Sequence, residues 1–277
     1  MKNITLLLLI VLGYSALGFS QSAEKIKGDK NLTIKQTYVD DFKKIIVGED
    51  FEVELFYNKA ASVEIETDDN LHPYVDIQVV DGVLSLKTTS DIRPKKMVIK
   101  VNYGDSFSDI EINGDAEVRS VTSLELTNAS LKTSGSSRAY LNIKADTFNF
   151  VSADKTKVKL NITATNVTAE ISDNTKMDAL INATDLKMDL YQRADANIEG
   201  TITSLNLRTD NSTQFNGKNL TSKTCNIIAD LSSDVYVEVT ENIVIEATGE
   251  SEIYLYGNPK IVINKFTETV KLQKKVK

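Results

Sequence analysis

Few residues of this chain have side chains suited to catalysis or metal binding. His72 is the single histidine and Cys225 the single cysteine among 277 residues. A histidine metal cluster, an intramolecular disulfide and a multi-cysteine site are therefore excluded. His72 precedes Pro73 in a turn, which favours a surface residue over a general base. Cys225 stands at an inward strand position, which is typical of a buried packing thiol.

An acidic group occupies the stretch before His72. Glu66, Asp68 and Asp69 offer the hard oxygen ligands that calcium prefers. The spaced D-x-D-x-D-G calcium loop is missing from this stretch. The alternative, which we favour, is a solvated turn in which Asp68 caps local backbone amides. We therefore assign no metal site.

Carboxylates also recur further along the chain, at positions that we expect to face outward. Two of them at the right separation would suit a polysaccharide lyase or hydrolase. Stacked repeats, however, bring such acids together by geometry alone. We therefore expect no catalytic residues and no cofactor, and a carbohydrate-active enzyme is the alternative. The candidate acids are Asp146, Asp178, Asp185, Asp189, Glu199 and Glu238.

Three tyrosines occupy equivalent positions in a sequence repeat that runs through the second half of the chain. Tyr140, Tyr236 and Tyr254 each occupy the first outward position of their repeat. Aligned outward aromatics can stack on sugar rings, which makes them a candidate ligand strip. Packing between neighbouring strands is the alternative interpretation, and the one we favour.

The repeat itself extends from Ser137 to Gly257. Each copy opens an alternating apolar segment, and a second such segment follows about nine residues later. Period-two alternation predicts strands, and a fixed period near twenty residues is typical of a solenoid. We therefore predict an all-β fold, a parallel β-solenoid (β-helix) with two short strands and about 19 residues per coil. The copies begin at Ala139, Val158, Met177, Ala196, Phe215, Val235 and Ile253, with steps of 19, 19, 19, 19, 20 and 18 residues.

Small polar residues recur at the predicted corners. A hydroxyl residue lies two positions before most starts, and Ala194 is the exception. These positions predict a stacked ladder along one corner. A looser first coil from Ala116 predicts a four-residue insertion around residues 128–132, and Gly217 predicts a bulge. The ladder residues are Ser137, Thr156, Thr175, Thr213, Ser233 and Ser251.

The termini suggest export. Residues 1–20 read as a signal peptide with a cut before Gln21, and no later apolar stretch is long enough to span a membrane. Residues 21–39 are predicted to be a flexible leader, residues 40–262 the solenoid domain, and residues 263–277 a basic C-terminal tail. The net charge of −7 and only five arginines argue against nucleic acid as a partner.

Several motifs resemble the bacterial family named putative auto-transporter adhesin, head GIN domain. The stretch 66–75, Glu-Thr-Asp-Asp-Asn-Leu-His-Pro-Tyr-Val, is similar to its E-A-D-x-N-L-x-P-Y-I segment. Residues 110–116 are similar to its I-x-x-x-G-S-G-D-V step, and Tyr256-Gly257-Asn258-Pro259 to its closing Y-x-G-x-P. The resemblance implies a right-handed β-solenoid at the bacterial cell envelope, and it implies no catalytic residues.

These observations together predict an exported binding or adhesion module in the periplasm, on the outer surface or secreted. A surface glycan or another envelope protein is the expected partner. A carbohydrate-active lyase or hydrolase and a ligand-free structural envelope protein are the alternatives. The uncapped edges of a solenoid invite pairing, so a homodimer is also open.

Overall fold

The structure is a computed structural model that describes residues 25–276. The expected signal peptide, residues 1–20, lies outside this range. The described chain is a β-solenoid of about nine turns, spaced about 19 residues apart. Parallel strands stack at ~4.8 Å, so the solenoid is on the order of 40 Å long.

The first part of the chain forms a head at one end of the solenoid. A 3₁₀ helix, Asp69–Tyr74, links its fifth and sixth strands. Asp81 and Gly82 both have positive φ and close the expected hairpin between the sixth and seventh. The strands of the head are β1 (Ile26–Lys27), β2 (Leu32–Tyr38), β3 (Lys44–Val47), β4 (Glu52–Tyr57), β5 (Ser62–Asp68), β6 (Val75–Val80), β7 (Val83–Thr88), β8 (Ile92–Arg93) and β9 (Val98–Tyr103).

The coils follow the head and continue its sheets. β3 pairs with β10 and β4 pairs with β11, both parallel. The strands of the coils are β10 (Asp109–Ile112), β11 (Glu117–Ser120), β12 (Leu124–Thr133), β13 (Arg138–Ser152), β14 (Lys157–Ile171), β15 (Lys176–Tyr191), β16 (Asp195–Asp210), β17 (Gln214–Asp230), β18 (Asp234–Ala247), β19 (Glu252–Tyr256), β20 (Lys260–Phe266) and β21 (Lys271–Lys274).

In β13 to β17 the two alternating segments of a coil form one long strand rather than two short ones. Each of these strands bends at a residue without a register partner, such as Asp146 or Thr165. The half before the bend stacks with β11, β19 and β21 into a first face. The half after it stacks with β10, the second half of β12 and β20 into a second face.

The predicted starts align residue for residue and fill the core. Each start is the register partner of the next, from Ala139 through to Ile253. All seven are at most 1% exposed. A second column, from Phe148 to Ile243, lines the opposite wall of the core. Burying one aliphatic side chain contributes about 1.5–3 kcal/mol, so the two columns supply much of the driving force for stacking.

The corners confirm the predicted ladder. The hydroxyl oxygens of Thr156 and Thr175 lie 3.2 Å apart inside the core, as do those of Thr213 and Ser233. Four residues before each start the backbone has positive φ, which Asp154 and Asn211 tolerate well. The Asp154 carboxylate accepts a bond from the Gly135 amide one coil earlier, at 2.8 Å, so this corner side chain links two coils.

The first coil differs from the prediction. β12 pairs with β13 at a constant offset through residues 128–132, so the expected four-residue insertion there is wrong. Val118 aligns with Ala139 and Leu124 with Ile143. The extra length is two residues, and it lies between Ser120 and Leu124. The bulge expected at Gly217 is confirmed by a register shift after this residue.

Both ends of the described range, residues 25–276, are more ordered than expected. β2, within the stretch predicted to be a flexible leader, pairs antiparallel with β5 along its whole length. In the stretch predicted to be a basic tail, β21 pairs with β19, and Val270 is buried. The tail sequence is basic, but its backbone continues the ladder and forms the last coil.

Candidate functional site

The outward surface of the first face is organised in columns of register partners. The central column follows the first outward position of each coil, and it contains all three predicted tyrosines. Outward residues stand at right angles to the sheet, so neighbours in a column lie side by side. The central column comprises Arg119, Tyr140, Lys159, Asp178, Asn197, Asn216, Tyr236 and Tyr254.

A groove of about 750 Å³ follows this column across β11 to β16. Tyr140, Lys159, Asp178 and Asn197 line it. A second column, Asn142, Asn161, Leu180 and Glu199, lines the groove further along the same strands. Five stacked strands span roughly 19 Å, which is the length of a short oligosaccharide rather than of a single small ligand.

The long first coil forms one wall of the groove. Its two additional residues produce the loop 121–123, and Val121 in this loop is 59% exposed and lines the groove. Leu180, 43% exposed, adds a second apolar contact at its other end. A coil of regular length would not place Val121 here. The groove therefore depends on the irregular coil.

Tyr140 is held in the groove by a cation. The guanidinium of Arg119 lies 4.6 Å from the centre of the Tyr140 ring. Arg119 is itself held by a hydrogen bond to the Glu117 carboxylate, which raises the pKa of the guanidinium further. One face of the aromatic ring is thus occupied, and its position is fixed from the head side of the groove.

Tyr236 and Tyr254 form a separate packed pair. Their rings stack at 4.4 Å with an interplanar angle of 9°, and the amino group of Lys275 lies 5.0 Å from the Tyr254 ring. The Tyr254 hydroxyl donates to Glu252, and this bond raises the pKa of the tyrosine. Four coils separate the pair from the coil of Tyr140, so the structure does not bring the three tyrosines into one contiguous strip.

Between the tyrosines the column consists of amides and acids that bond to each other. Asn216 Nδ2 donates to Asn197 Oδ1 at 3.1 Å, and Asn197 Nδ2 donates to Asp178 Oδ1 at 3.2 Å. In the neighbouring column Asn219 Nδ2 donates to Glu199 at 3.2 Å. Amide and carboxylate oxygens with unused lone pairs therefore point into the groove, where they can accept bonds from hydroxyl groups.

The candidate acids are divided between the two faces. Asp178 and Glu199 lie in the groove. Asp185 and Asp189 belong to the second face, where Asp189 pairs with Lys187 at 3.2 Å. Asp146 lies at a bend, and Glu238 accepts a bond from Thr221. Over residues 25–276 the structure has no group of three or more His, Cys, Asp or Glu placed to hold a metal ion.

The acidic stretch of the head is a structural clamp. Asp68 is fully buried, and its two carboxylate oxygens accept bonds from the backbone amides of Lys30 and Lys95, both at 2.6 Å. The favoured prediction, a solvated turn in which Asp68 caps local amides, is therefore wrong: Asp68 is buried, makes no local cap bond and binds amides that are distant in sequence. Asn70 completes the clamp by accepting from Asp29 N and donating to Lys27 O.

His72 and Cys225 have structural surroundings. His72 Nε2 lies 3.0 Å from the hydroxyl of Thr33 on β2, and His72 is half-buried. Cys225 is buried in the second core column, and burial raises the pKa of its thiol above the ordinary value. The clamp around Asp68 and the groove beside Val121 are the two features that the sequence did not indicate. Both depend on residues far apart in the chain.

Several solved structures share this architecture. No helix of the described residues is long and apolar enough to cross a membrane. The chain has 19% identity and a TM-score of 0.59 to the crystal structure of a putative adhesin from Parabacteroides merdae, covering 92% of this chain and 98% of that one. A putative adhesin from Parabacteroides distasonis gives 18% identity and a TM-score of 0.60, covering 91% and 100%.

A crystal structure described as a putative lipid binding protein, also from P. distasonis, gives 19% identity and a TM-score of 0.55, covering 90% and 100%. At these identities the likeness shows the fold alone. A comparison with curated proteins gives no match. The sequence itself matches the family described as "putative auto-transporter adhesin, head GIN domain" over residues 41–180 and 158–259. Because these residues make up most of the chain, the protein belongs to that family.

Proposed function

We propose that this protein is an exported, non-catalytic binding module that holds an oligosaccharide in the groove beside Tyr140. The observation that carries the proposal is the groove itself, with one aromatic ring and a line of amides and carboxylates along roughly 19 Å of sheet. Aromatic faces and hydrogen-bonding side chains are the two kinds of group that a sugar contacts.

The groove is also rigid, which favours binding. Apart from Val121 in its loop, the lining side chains stand on strands that are paired on both sides, and Arg119 and the amide bonds restrain them further. A preorganised site loses less conformational entropy when a ligand binds. The proposed ligand is either a free surface glycan or a glycan carried by another envelope protein.

The catalytic alternative requires a matched pair of carboxylates across a bond. Asp178 and Glu199 are the groove acids of β15 and β16, and the amide groups of Asn197 and Asn219 donate to them. A hydrolase needs two carboxylates that face the scissile bond, whereas these two are engaged by side-chain amides of the sheet. We therefore propose a binding role rather than hydrolysis.

The experiment is a glycan array probed with residues 21–277. Retained glycans are then titrated against Tyr140→Ala, which removes the groove aromatic. An aromatic contact contributes roughly 0.5–1.5 kcal/mol, so we expect affinity to fall about threefold to tenfold. Tyr38→Ala is the matched control, because Tyr38 is 71% exposed on β2, away from the groove.

Three results would count against the proposal. Retention of no glycan by the array would refute it, and so would an equal loss of affinity in the Tyr140 and Tyr38 variants. New reducing ends released from a retained glycan would favour the hydrolase instead. Export is tested separately by fractionating cells that express the full chain: we propose that the protein is found outside the cytoplasm, in the periplasm, on the surface or in the medium.

A further inference from the structure

We infer that the oligosaccharide bound in the groove carries a single acidic sugar, whose carboxylate lies over Lys157 and Lys159. This inference rests on the proposed glycan-binding function and specifies its ligand. The remainder of the glycan is hydroxyl-rich and neutral, and it lies along Asp178 and Asn197. The charges on β13 to β16 carry the argument.

Cations are stacked along one flank of the groove, one position before the core column. Arg138, Lys157 and Lys176 are register partners on three successive strands, and all point outward. Lys159 lies two residues from Lys157 on the same face and lines the groove. Like charges directly opposite each other on neighbouring strands destabilise a sheet. The free protein therefore carries a cationic cluster at a cost in stability.

Lys157 and Lys159 form no ion pair within the described residues, whereas Lys176 stands opposite Asp195 and interacts with its carboxylate. Glu117 is bound by Arg119 and, at 3.3 Å, by Arg138. Among residues 25–276, no hydrogen bond engages the amino groups of Lys157 or Lys159 either. Elsewhere on the first face lysines are paired, as Lys271 is with Glu252 at 2.6 Å. An external carboxylate would satisfy these donors.

The far strands of the groove are acidic, and Glu54 lines its head end, which limits the ligand to one charge. Asp178 follows Lys159 in the central column, Asp195 follows Lys176 in the flanking column, and Glu199 lies beyond. A glycan with a carboxylate on every sugar would place charges against these acids. A glycan with one terminal acidic sugar places its anion on the lysines and its hydroxyl groups on the carboxylate and amide oxygens.

The test compares three probes on residues 21–277: 3′-sialyllactose with one carboxylate, lactose with none, and trigalacturonate with three. We expect sialyllactose to bind most tightly. The double variant Lys157→Gln, Lys159→Gln should weaken sialyllactose binding about tenfold, since each exposed charge contact contributes up to ~1 kcal/mol, and should leave lactose binding unchanged. Lys223→Gln, which removes an exposed lysine at a bend outside the groove, is the matched control.

A second readout separates ligand contact from a structural role. Lys157 lies between two cations but Lys159 lies beside Asp178, so the two effects offset and the double variant should unfold at about the wild-type temperature while binding sialyllactose more weakly. Equal affinity for lactose and sialyllactose, or equal loss of both in the double variant, would overturn the inference and leave the groove a neutral glycan site. Failure of all three probes would overturn it too, while the full array decides separately whether the protein binds glycans at all.

Discussion

Replacing Asp68 with alanine should release the N-terminal strand β2 from the head. The Asp68 carboxylate accepts two backbone amides at 2.6 Å in a fully buried position. A hydrogen bond to a charged group contributes about 1.5–3 kcal/mol, so the loss of both should cost roughly 3–6 kcal/mol. The amides of Lys30 and Lys95 would then be left without an acceptor.

The loss should be local, because β2 is an edge strand that pairs only with β5 along its length. Hydrogen exchange followed by mass spectrometry is the appropriate assay. A loss of 3 kcal/mol should speed exchange in residues 26–38 by at least about a hundredfold, if opening is local. The coils from β13 onward should keep their protection, since no residue of β2 pairs with them.

Two further variants make this reasoning testable. Asp69→Ala is the control: Asp69 is exposed and accepts only from the Thr33 hydroxyl, so exchange should change little. Gly28→Ala should mimic the loss of Asp68, because a Cβ at Gly28 would lie 2.2 Å from the Asp68 carboxylate. If Asp68→Ala left exchange in residues 26–38 within about threefold of wild type, the clamp would not be what holds β2.

Three further predictions concern a corner, the core of the head and the last coil. Leu231 has φ of 56° at an exposed corner, so Leu231→Gly should stabilise the fold by about 1 kcal/mol in urea unfolding. Gly249→Ala should destabilise it, because the added Cβ would lie 2.6 Å from the Leu231 carbonyl oxygen. Stability changes of the opposite signs would refute this account of the corners. Burial raises the pKa of Tyr103 from 10.0 to about 12. Above pH 10 the unfolded chain ionises first, so stability should fall from pH 10 towards 12, and less so in Tyr103→Phe; identical pH profiles would contradict this. Lys274 is the register partner of Leu255 and takes the same inward position in the last coil. Lys274→Leu removes this charge from the end of the solenoid and should promote end-to-end association in sedimentation velocity. Gln273→Leu adds the same side chain facing outward and should not.

The core was predictable because it is periodic. Each coil start is about 19 residues from its register partner, so an inward-facing residue in one coil predicts the inward-facing residue at the same place in the next coil. The same arithmetic fails where the coil length changes. Ala116 looked like a start, but Val118 is the residue that aligns with Ala139, because two residues are added after Ser120 and not around residue 130. Alternation alone cannot distinguish these two registers.

The clamp and the leader show a second limit. Asp68 binds amides 38 and 27 residues away, and nothing in the spacing of acidic residues distinguishes a buried acceptor of backbone amides from a solvated turn. The leader is polar, and polar sequence favours a flexible segment. It is ordered because Asp68 and Asn70 bind its backbone rather than its side chains. Backbone contacts of this kind leave no compositional trace.

The charge pattern of the groove was only partly predictable from the sequence. Arg138, Lys157 and Lys176 are 19 residues apart, so their stacking follows from the same period that predicts the core. What the period does not reveal is that Lys157 alone of these three lacks an acid among residues 25–276, because Glu117 is occupied by two arginines and Asp195 stands opposite Lys176. An outward column of like charges within a regular solenoid costs stability unless a counter-charge is present. Where the protein supplies none, the column is itself an argument for an anionic ligand, and the sialyllactose experiment tests that argument.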